Sequence, residues 1–296
     1  MKQVLATRAV GAGHWVGDGF PVHTIFSYHD QGEALSPFLL LDHAGPKDFP
    51  PTEAELGVDW HPHRGFETVT VVYAGEVEHG DSAGNAGRIG PGDVQWMTAG
   101  AGVLHKEMHG RDYARRGGAF EMLQLWVNLP TRHKMTAPRY QALLDADIPA
   151  VVLPGGAGTV RVIAGTFGAA PDTVATGPAR TVTPINLLDV RLAAGGRLRL
   201  PLAAGTTAAL YVLKGGIQVN GREQAAATDL VLLDREGADA EITATGAATL
   251  LVMNGEPINE PISGYGPFVM NTPAEIQQAL ADFRSGRLAT LPAELA

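Results

Sequence analysis

Two short segments place histidine and carboxylate side chains at a spacing that could bind a metal ion. The first segment contains His61, His63 and Glu67, and the second contains His105 and Glu107. Residues two apart on a β-strand point to the same face, so each segment would direct its donors to one side. Imidazole and carboxylate donors together suit Fe, Mn, Ni, Cu or Zn. The two segments therefore predict one metal site, in which three histidines and one glutamate would leave an octahedral ion two open positions.

The role of Glu67 stays open at this point. If one strand ran unbroken from His61, Glu67 would share the face of the histidines, and only one of Glu67 and Glu107 would need to bind the metal. Glu67 could instead accept hydrogen bonds behind a ligating histidine and orient its ring. The residues alone do not choose between these two roles.

Other residues beside the two segments have both a structural and a functional interpretation. Phe66 and Trp96 are most simply core residues, although an aromatic side chain near a site could also line an apolar pocket. Arg64 could be a charge beside the mouth of such a pocket or a solvated strand residue. For His79 and His109 we favour roles other than metal binding.

Strands are the elements that must position these donors. Residues 68–73 are mostly β-branched or aromatic, which is the composition that strands favour. Glycine-rich segments at residues 80–85 and 90–93 predict a hairpin loop and a tight turn. Further strands are predicted at residues 94–97 and 122–129. The many glycines and prolines, 37 and 20, favour an all-β chain of short strands.

An internal repeat organises the chain. Residues 72–77 align without gaps on residues 212–217, and the turn at 92–94 matches residues 228–230 after a short deletion. The second copy forms its hairpin with Asn220-Gly221, a favoured two-residue turn. Two copies of an all-β unit predict two similar barrels or sandwiches in tandem.

The second copy lacks the metal donors. In the approximate alignment, the positions of His61, His63, His105 and Glu107 are occupied by Pro201, Ala203, Glu241 and Thr243. The chain has no histidine after His133, so no placement of gaps restores a site. The N-terminal half is therefore predicted to hold the metal, and the C-terminal half to be scaffold or cover.

These features predict three parts of the chain. Residues 1–135 would form the metal-binding domain, residues 136–149 a linker, and residues 150–296 a second domain without metal ligands. A short helix is predicted near the end of the chain, because Thr272 and Glu275 form a capping box around Pro273 at the first helical position.

Composition excludes several classes of function. The formal net charge is −9, and the chain has no run of basic residues that could follow a phosphate backbone. Direct nucleic-acid binding and membrane-surface binding are therefore disfavoured. The acidic balance permits a basic protein partner. The absence of cysteine excludes disulfides and thiolate metal sites. With no signal peptide and no long apolar run, the expected location is the cytoplasm.

The motifs at residues 61–68 (HPHRGFET), 91–100 (PGDVQWMTAG) and 104–107 (LHKE) resemble those of the pirin family, within the cupin superfamily. Residues 255–261 and 266–272 also resemble pirins. The resemblance implies a bicupin of two β-barrels, the first of which binds Fe²⁺. It implies His61, His63, His105 and Glu107 as ligands, and it favours Glu107 over Glu67, the position from which ordinary cupins take their carboxylate.

Several pirins are similar in activity to quercetin 2,3-dioxygenases, which open the heterocycle of a flavonol with O2 and release carbon monoxide. The resemblance therefore implies a flavonol-like aromatic substrate, with Glu107 as a ligand and as the base that takes the proton of the 3-hydroxyl group. The alternative is a non-enzymatic coregulator, whose metal alters a surface for a transcription factor or a metabolic enzyme according to its redox state. A metal with only a structural role is a third interpretation.

Overall fold

A computed structural model describes residues 1–168 and 174–291, and most of these residues lie in short antiparallel strands. The strands up to residue 109 are β1 (Val4–Arg8), β2 (His14–Val16), β3 (Phe20–Ser27), β4 (Phe38–Phe49), β5 (Gly57–His63), β6 (Phe66–Ala74), β7 (Val77–Asp81), β8 (Ala86–Ile89), β9 (Val94–Thr98) and β10 (Val103–His109). The next strands are β11 (Gly118–Asn128), β12 (Arg139–Leu143), β13 (Ala150–Val152), β14 (Gly158–Ala164), β15 (Thr166–Phe167), β16 (Ala175–Thr176), β17 (Ile185–Leu192) and β18 (Arg197–Leu200). The remaining strands are β19 (Thr207–Lys214), β20 (Gly216–Val219), β21 (Glu223–Ala226), β22 (Leu230–Leu233), β23 (Ala240–Ala244), β24 (Ala248–Gly255), β25 (Ser263–Tyr265) and β26 (Phe268–Met270).

The helices are short and few in the described part of the chain. They are α1 (Tyr28–Leu35), α2 (Arg111–Arg116) and α3 (Pro273–Arg284), with single 3₁₀ turns at Thr131–His133, Asp145–Asp147 and Pro154–Gly156. The predicted capping box is present on α3, where Thr272 and Glu275 satisfy each other's backbone amides. The prediction of one short helix omitted α1 and α2. None of the helices in residues 1–168 and 174–291 has the length and apolar character needed to span a bilayer.

The described chain divides into two compact units. The histidine unit comprises residues 12–32, 38–145 and 258–291, and it contains all ten histidines. The histidine-free unit comprises residues 1–11, 33–37, 146–168 and 174–257. The all-β prediction is confirmed in both units.

Each unit contains a seven-stranded and a four-stranded antiparallel sheet. In the histidine unit the strand orders are β12-β9-β6-β11-β4-β3-β2 and β5-β10-β7-β8. In the histidine-free unit they are β1-β22-β19-β24-β17-β14-β13 and β18-β23-β20-β21. The predicted internal repeat is therefore present as two sheet pairs of the same order, with β6 equivalent to β19 and β10 equivalent to β23.

The repeated turns share their hydrogen bonds as well as their sequence. The amide of Gly90 donates to the side chain of Asp93, and the amide of Ala226 donates to the side chain of Asp229 in the same way. Gly92 and Thr228 occupy the equivalent turn position with φ of +94° and +73°. The same local turn therefore leads into β9 in the histidine unit and into β22 in the histidine-free unit.

The compact units do not follow a simple division in chain order. Strand β1 pairs with β22, so the first residues of the chain belong to the histidine-free unit. Strands β25 and β26 and helix α3 belong to the histidine unit, although they lie at the other end of the chain. Strand β12, within the predicted linker, pairs with β9. Strands β12 and β1 cover equivalent edges, which satisfies backbone groups that would otherwise be unpaired.

Candidate metal centre

Three histidines converge in the histidine unit. Strand β5 carries His61 and His63 near its end, and the neighbouring β10 pairs His105 directly with His61. Their nearest ring nitrogens lie within 4.8 Å of one another. The ring centroid of His105 lies 4.2 Å from that of His61 and 4.7 Å from that of His63. The predicted grouping of these three side chains is present.

The ring nitrogens fit a metal ion. Neither nitrogen of buried His105, nor Nδ1 of buried His63, has a hydrogen-bond partner in the part of the chain that the structure describes. Buried polar atoms are seldom left in this state, so these nitrogens suit a bound cation. His61 uses Nδ1 to donate to the carbonyl of Asp59 at 2.8 Å, which leaves Nε2 as the acceptor.

Burial also favours the protonation state that binds metals. Desolvation lowers the pKa of His61 and lowers those of His63 and His105 well below the usual histidine value. The neighbouring imidazoles add to this effect on His63 and His105, because each ring disfavours a positive charge on the next. Burial therefore favours the neutral form of all three imidazoles, which is the ligating form.

Glu107 lies two residues beyond His105 on β10 and is 3% exposed. Its Oε2 accepts from the Gln124 amide at 3.0 Å. Its Oε1 lies 3.2 Å from the Thr70 hydroxyl and shares that single proton with Oε1 of Gln124, which lies 2.6 Å from the hydroxyl. Desolvation raises the pKa of Glu107 to about 7, and the two hydrogen bonds oppose that rise. The carboxylate is thus held at a fixed position by two side chains from the seven-stranded sheet.

One cavity of about 260 Å³ brings Glu107 together with His61 and His63. Its polar lining also includes Asp42 and Gln124. The remaining lining residues are apolar: Val16, Phe20, Val22, Ala44, Val58, Met122, Trp126 and Pro267. A small cavity with apolar walls and a few convergent polar groups is typical of a site for a small molecule.

Glu67 lies away from this cavity. The chain turns between β5 and β6 at Gly65, with φ of +92°, and β6 begins in the other sheet. Thr68 pairs with the cavity residue Trp126, so Glu67, one residue earlier, faces the opposite side of β6. There it accepts from the Thr98 hydroxyl at 2.6 Å. The expectation of one unbroken strand from His61 to Glu67 is wrong, because Gly65 breaks the alternation.

The other predicted neighbours have different surroundings. Arg64 is buried and donates to Asp282 on α3 at 2.9 Å, so it is neither solvated nor free at a pocket mouth. Phe66 packs its ring 5.1 Å from that of His63 and is the neighbour that contacts the histidine group. Trp96 pairs with Val69, on the face of the sheet opposite the cavity, and is a core residue.

His79 and His109 lie in aromatic surroundings. His109 stacks on Phe120 at 4.7 Å, and its Nε2 lies 2.9 Å from the carbonyl oxygen of Gly19. His79 stacks on Tyr140 at 4.2 Å. Neither ring belongs to the group of three converging histidines.

The sequence interpretation missed Thr70, Gln124 and Asp42. Each directly follows an apolar residue in a strand that also carries other polar residues, so residue type alone gave only a weak signal. Which cavity such a residue faces depends on the pairing of β4, β11 and β6, and the sequence does not give that register.

The register also corrects the alignment of the two repeats. His61 pairs with His105, and the equivalent pair on β18 and β23 is Leu200 with Ala240. The equivalents of the four predicted donors are therefore shifted by one residue from the alignment: Leu200, Leu202, Ala240 and Ile242. All four are buried in one apolar cluster.

Two tandem sheet pairs of this kind, one with a histidine group inside it, define a protein of the cupin class. The Pirin family model matches residues 19–127, and the model of the Pirin C-terminal cupin domain matches residues 187–289. The chain belongs to the pirin family.

Similar sequences and solved structures match this chain over most of its length. A Pseudomonas aeruginosa protein named as a candidate quercetin 2,3-dioxygenase is 55% identical over 287 residues, covering 97% of this chain and 98% of the relative. The crystal structure of a quercetin 2,3-dioxygenase from Acinetobacter baumannii is 49% identical with a TM-score of 0.94, covering 99% of this chain and 100% of the other. A bacterial pirin from Escherichia coli in complex with nickel(II) is 20% identical with a TM-score of 0.64, covering 85% of this chain and 100% of the other, and is similar in fold.

Proposed function

We propose that this chain is a metal-dependent dioxygenase of the quercetin 2,3-dioxygenase type, which cleaves a flavonol-like aromatic substrate with O2 and releases carbon monoxide. The observation that carries the proposal is the convergence of His61, His63 and His105 beside a cavity that Glu107 lines. The names of the full-length relatives support the same reaction.

We assign the metal to Fe²⁺, held by His61, His63, His105 and Glu107. Three neutral imidazoles and one carboxylate fit this ion, and the same donors accept Mn, Ni, Cu or Zn. When bound, such an ion lowers the pKa of a coordinated hydroxyl group and supplies the redox chemistry that O2 requires.

Glu107 is the group that can take the proton of the flavonol 3-hydroxyl. Without metal, burial raises the pKa of Glu107 to about 7. A bound cation would lower this pKa and keep the carboxylate ionised, which is the form that can accept a proton. Thr70 donates to one carboxylate oxygen and Gln124 donates to the other, so the two side chains orient Glu107 toward the cavity. A base held in one position loses less entropy when the substrate binds.

The apolar walls have a separate role. Phe20, Met122 and Trp126 face the substrate space and limit the entry of water. Exclusion of water protects reactive species from side reactions and strengthens the interaction of the substrate with charged groups. A planar aromatic substrate would match these walls by apolar contact.

Carbon monoxide release tests the proposal. Protein is loaded with Fe²⁺ under anaerobic conditions, mixed with quercetin, and then exposed to air while carbon monoxide is measured. We expect stoichiometric release that continues over many turnovers. An iron-replete sample that releases none from several flavonols would contradict the proposal. Zn²⁺-loaded protein is the matched control, because it fills the same donors without redox chemistry.

A further inference from the structure

A row of polar side chains crosses the seven-stranded sheet of the histidine unit. Thr24 on β3 pairs with Asp42 on β4, Asp42 pairs with Gln124 on β11, and Gln124 pairs with Thr70 on β6. Paired residues of neighbouring strands point to the same face, and Gln124 and Asp42 both line the cavity. The row therefore runs along one wall of the cavity.

The equivalent row in the histidine-free unit is entirely apolar. There Val162 pairs with Leu188, Leu188 with Val252, and Val252 with Leu210. All four belong to the buried apolar cluster of that unit. The sheet forms with apolar residues at this level, so its folding does not require polar ones. We therefore expect the polar row in the histidine unit to serve a function in the cavity rather than the folding of the sheet.

One end of the row already has such a role, because Thr70 and Gln124 both donate to Glu107. The other end is Asp42. One oxygen of its carboxylate accepts from the Thr24 hydroxyl at 2.7 Å, and a carboxylate can accept several further hydrogen bonds. Asp42 is half-buried and opens onto the same cavity as the histidines.

The surroundings of Asp42 favour a hydrogen bond to it from a hydroxyl group of a bound small molecule. Phe20, Val22, Ala44 and Met122 line the cavity around it, and desolvation raises the pKa of Asp42 to about 6, while the Thr24 hydrogen bond opposes the rise. At neutral pH Asp42 is still ionised, so it is an acceptor that an apolar wall solvates poorly. A charged acceptor in such a setting forms strong hydrogen bonds with hydroxyl donors.

We propose that Asp42 is a specificity-determining residue that accepts a hydrogen bond from a second phenolic hydroxyl of the substrate, remote from the hydroxyl beside Glu107. The inference rests on the proposed dioxygenase function and narrows its substrate class. In this role, Asp42 selects planar aromatic compounds with hydroxyl groups at both ends over compounds with one hydroxyl at the reacting end. Sites built to bond a substrate hydroxyl reject the analogue that lacks it, often by a large factor.

The test compares two flavonols under anaerobic conditions, so that binding is measured without turnover. Quercetin carries hydroxyls on all of its rings, whereas 3-hydroxyflavone carries the 3-hydroxyl alone. Fe²⁺-loaded wild-type protein should bind quercetin at least about tenfold more tightly. Apolar contact alone would favour 3-hydroxyflavone, because it is the less polar compound. Equal binding, or tighter binding of 3-hydroxyflavone, would overturn the inference without any variant.

The Asp42→Ala variant should weaken quercetin binding by about tenfold and leave 3-hydroxyflavone binding within about twofold. Asp42→Asn, which keeps the shape, should lie between the two. Asp48→Asn, at an exposed position of the same strand, is the matched control and should change neither ligand. Equal weakening of both ligands in Asp42→Ala would show a structural role and overturn the inference, as would no change in either.

The outcome also separates this inference from the proposed function. If wild-type protein binds and cleaves both flavonols with equal efficiency, the function stands and the assignment of Asp42 fails. If neither flavonol binds the Fe²⁺-loaded protein, the proposed function fails, and the assignment of Asp42 fails with it.

Discussion

The two units of this chain use the same sheet order for two different interiors. In the histidine unit, paired positions on β5 and β10 carry His61 and His105, whereas the equivalent positions on β18 and β23 carry Leu200 and Ala240. The seven-stranded sheets differ in the same way, since Asp42 and Gln124 have apolar equivalents. The scaffold thus determines where side chains meet, and the interior residues determine whether a site forms there.

The difference also shows how each interior is stabilised. The histidine-free unit gains its stability from burial of an apolar cluster that includes Leu200 and Ile242. The histidine unit instead buries imidazoles and a carboxylate at the equivalent positions, and such groups cost free energy unless they are paired. The interior of the histidine unit should therefore be the less stable one when no metal is bound.

The largest effect is expected from His105→Ala. This change removes a central donor of the histidine group, so metal content should fall from about one ion per chain toward zero and carbon monoxide release should fall to background. Metal analysis and the quercetin assay measure both quantities. The exposed His29 provides the control, because His29→Ala should preserve metal and activity. Full metal content in His105→Ala would break the comparison between the units.

A reciprocal pair of variants tests the equivalent positions Glu107 and Ile242. Ile242→Ala should lower the free energy of unfolding by about 2–5 kcal/mol, because it leaves a cavity in an apolar core, and should preserve metal content. Glu107→Gln should weaken metal binding and activity with little loss of stability in the metal-free protein. Denaturant unfolding and metal titration distinguish the two. A stability loss of the same size in both variants would contradict the division of roles.

The stability of the metal-free histidine unit should depend on pH. Burial raises the pKa of Glu107 from 4.5 to about 7, so the folded state holds a proton that the unfolded state has released between these values. The contribution of this group to stability is present below pH about 4.5 and is lost as the pH rises toward 7. At about 1.4 kcal/mol per pKa unit, a rise of about 2.5 units corresponds to a change of at most about 3.5 kcal/mol.

Glu107→Gln isolates this contribution, because the buried histidines titrate in both proteins and cancel in the difference. The difference in free energy of unfolding between wild type and Glu107→Gln should fall as the pH rises from 4.5 to 7, measured on metal-free protein. A difference that is flat or rises across this range would disprove the effect.

A smaller effect is expected from Thr70→Val, which removes one donor to Glu107 while keeping the shape of the side chain. Turnover of quercetin should fall about tenfold, since groups that orient a ligating residue contribute about this much. Thr68→Val is the matched control, because Thr68 lies two residues earlier on the same buried strand. Equal losses in both variants would indicate general damage to β6 and would contradict a specific role of Thr70 in orienting Glu107.

The histidine group was predictable from sequence because its geometry is local. His61 and His63 lie two apart on one strand, and the second segment repeats the pattern. The same reasoning failed for Glu67, because the turn at Gly65 moves the chain into another sheet. The side chain of Glu67 consequently faces away from the cavity. Alternation along a strand predicts orientation only while the strand continues.

Features that depend on strand pairing were not predictable. Asp42, Gln124 and Thr70 form one row only because β4, β11 and β6 pair in a particular register. The repeats aligned correctly around Gly75 and Gly215, yet the positions of the donors were displaced by one residue. The short helices α1 and α2 were missed because eight and six residues give too little periodicity to detect.

We propose that the histidine unit holds one metal ion through three imidazoles and a carboxylate. X-ray absorption at the iron edge of Fe²⁺-loaded protein, combined with metal analysis, tests it directly. We expect about one ion per chain and a coordination sphere that contains three imidazole nitrogens and a carboxylate oxygen. Two ions per chain, or a sphere with fewer than three imidazoles, would contradict it.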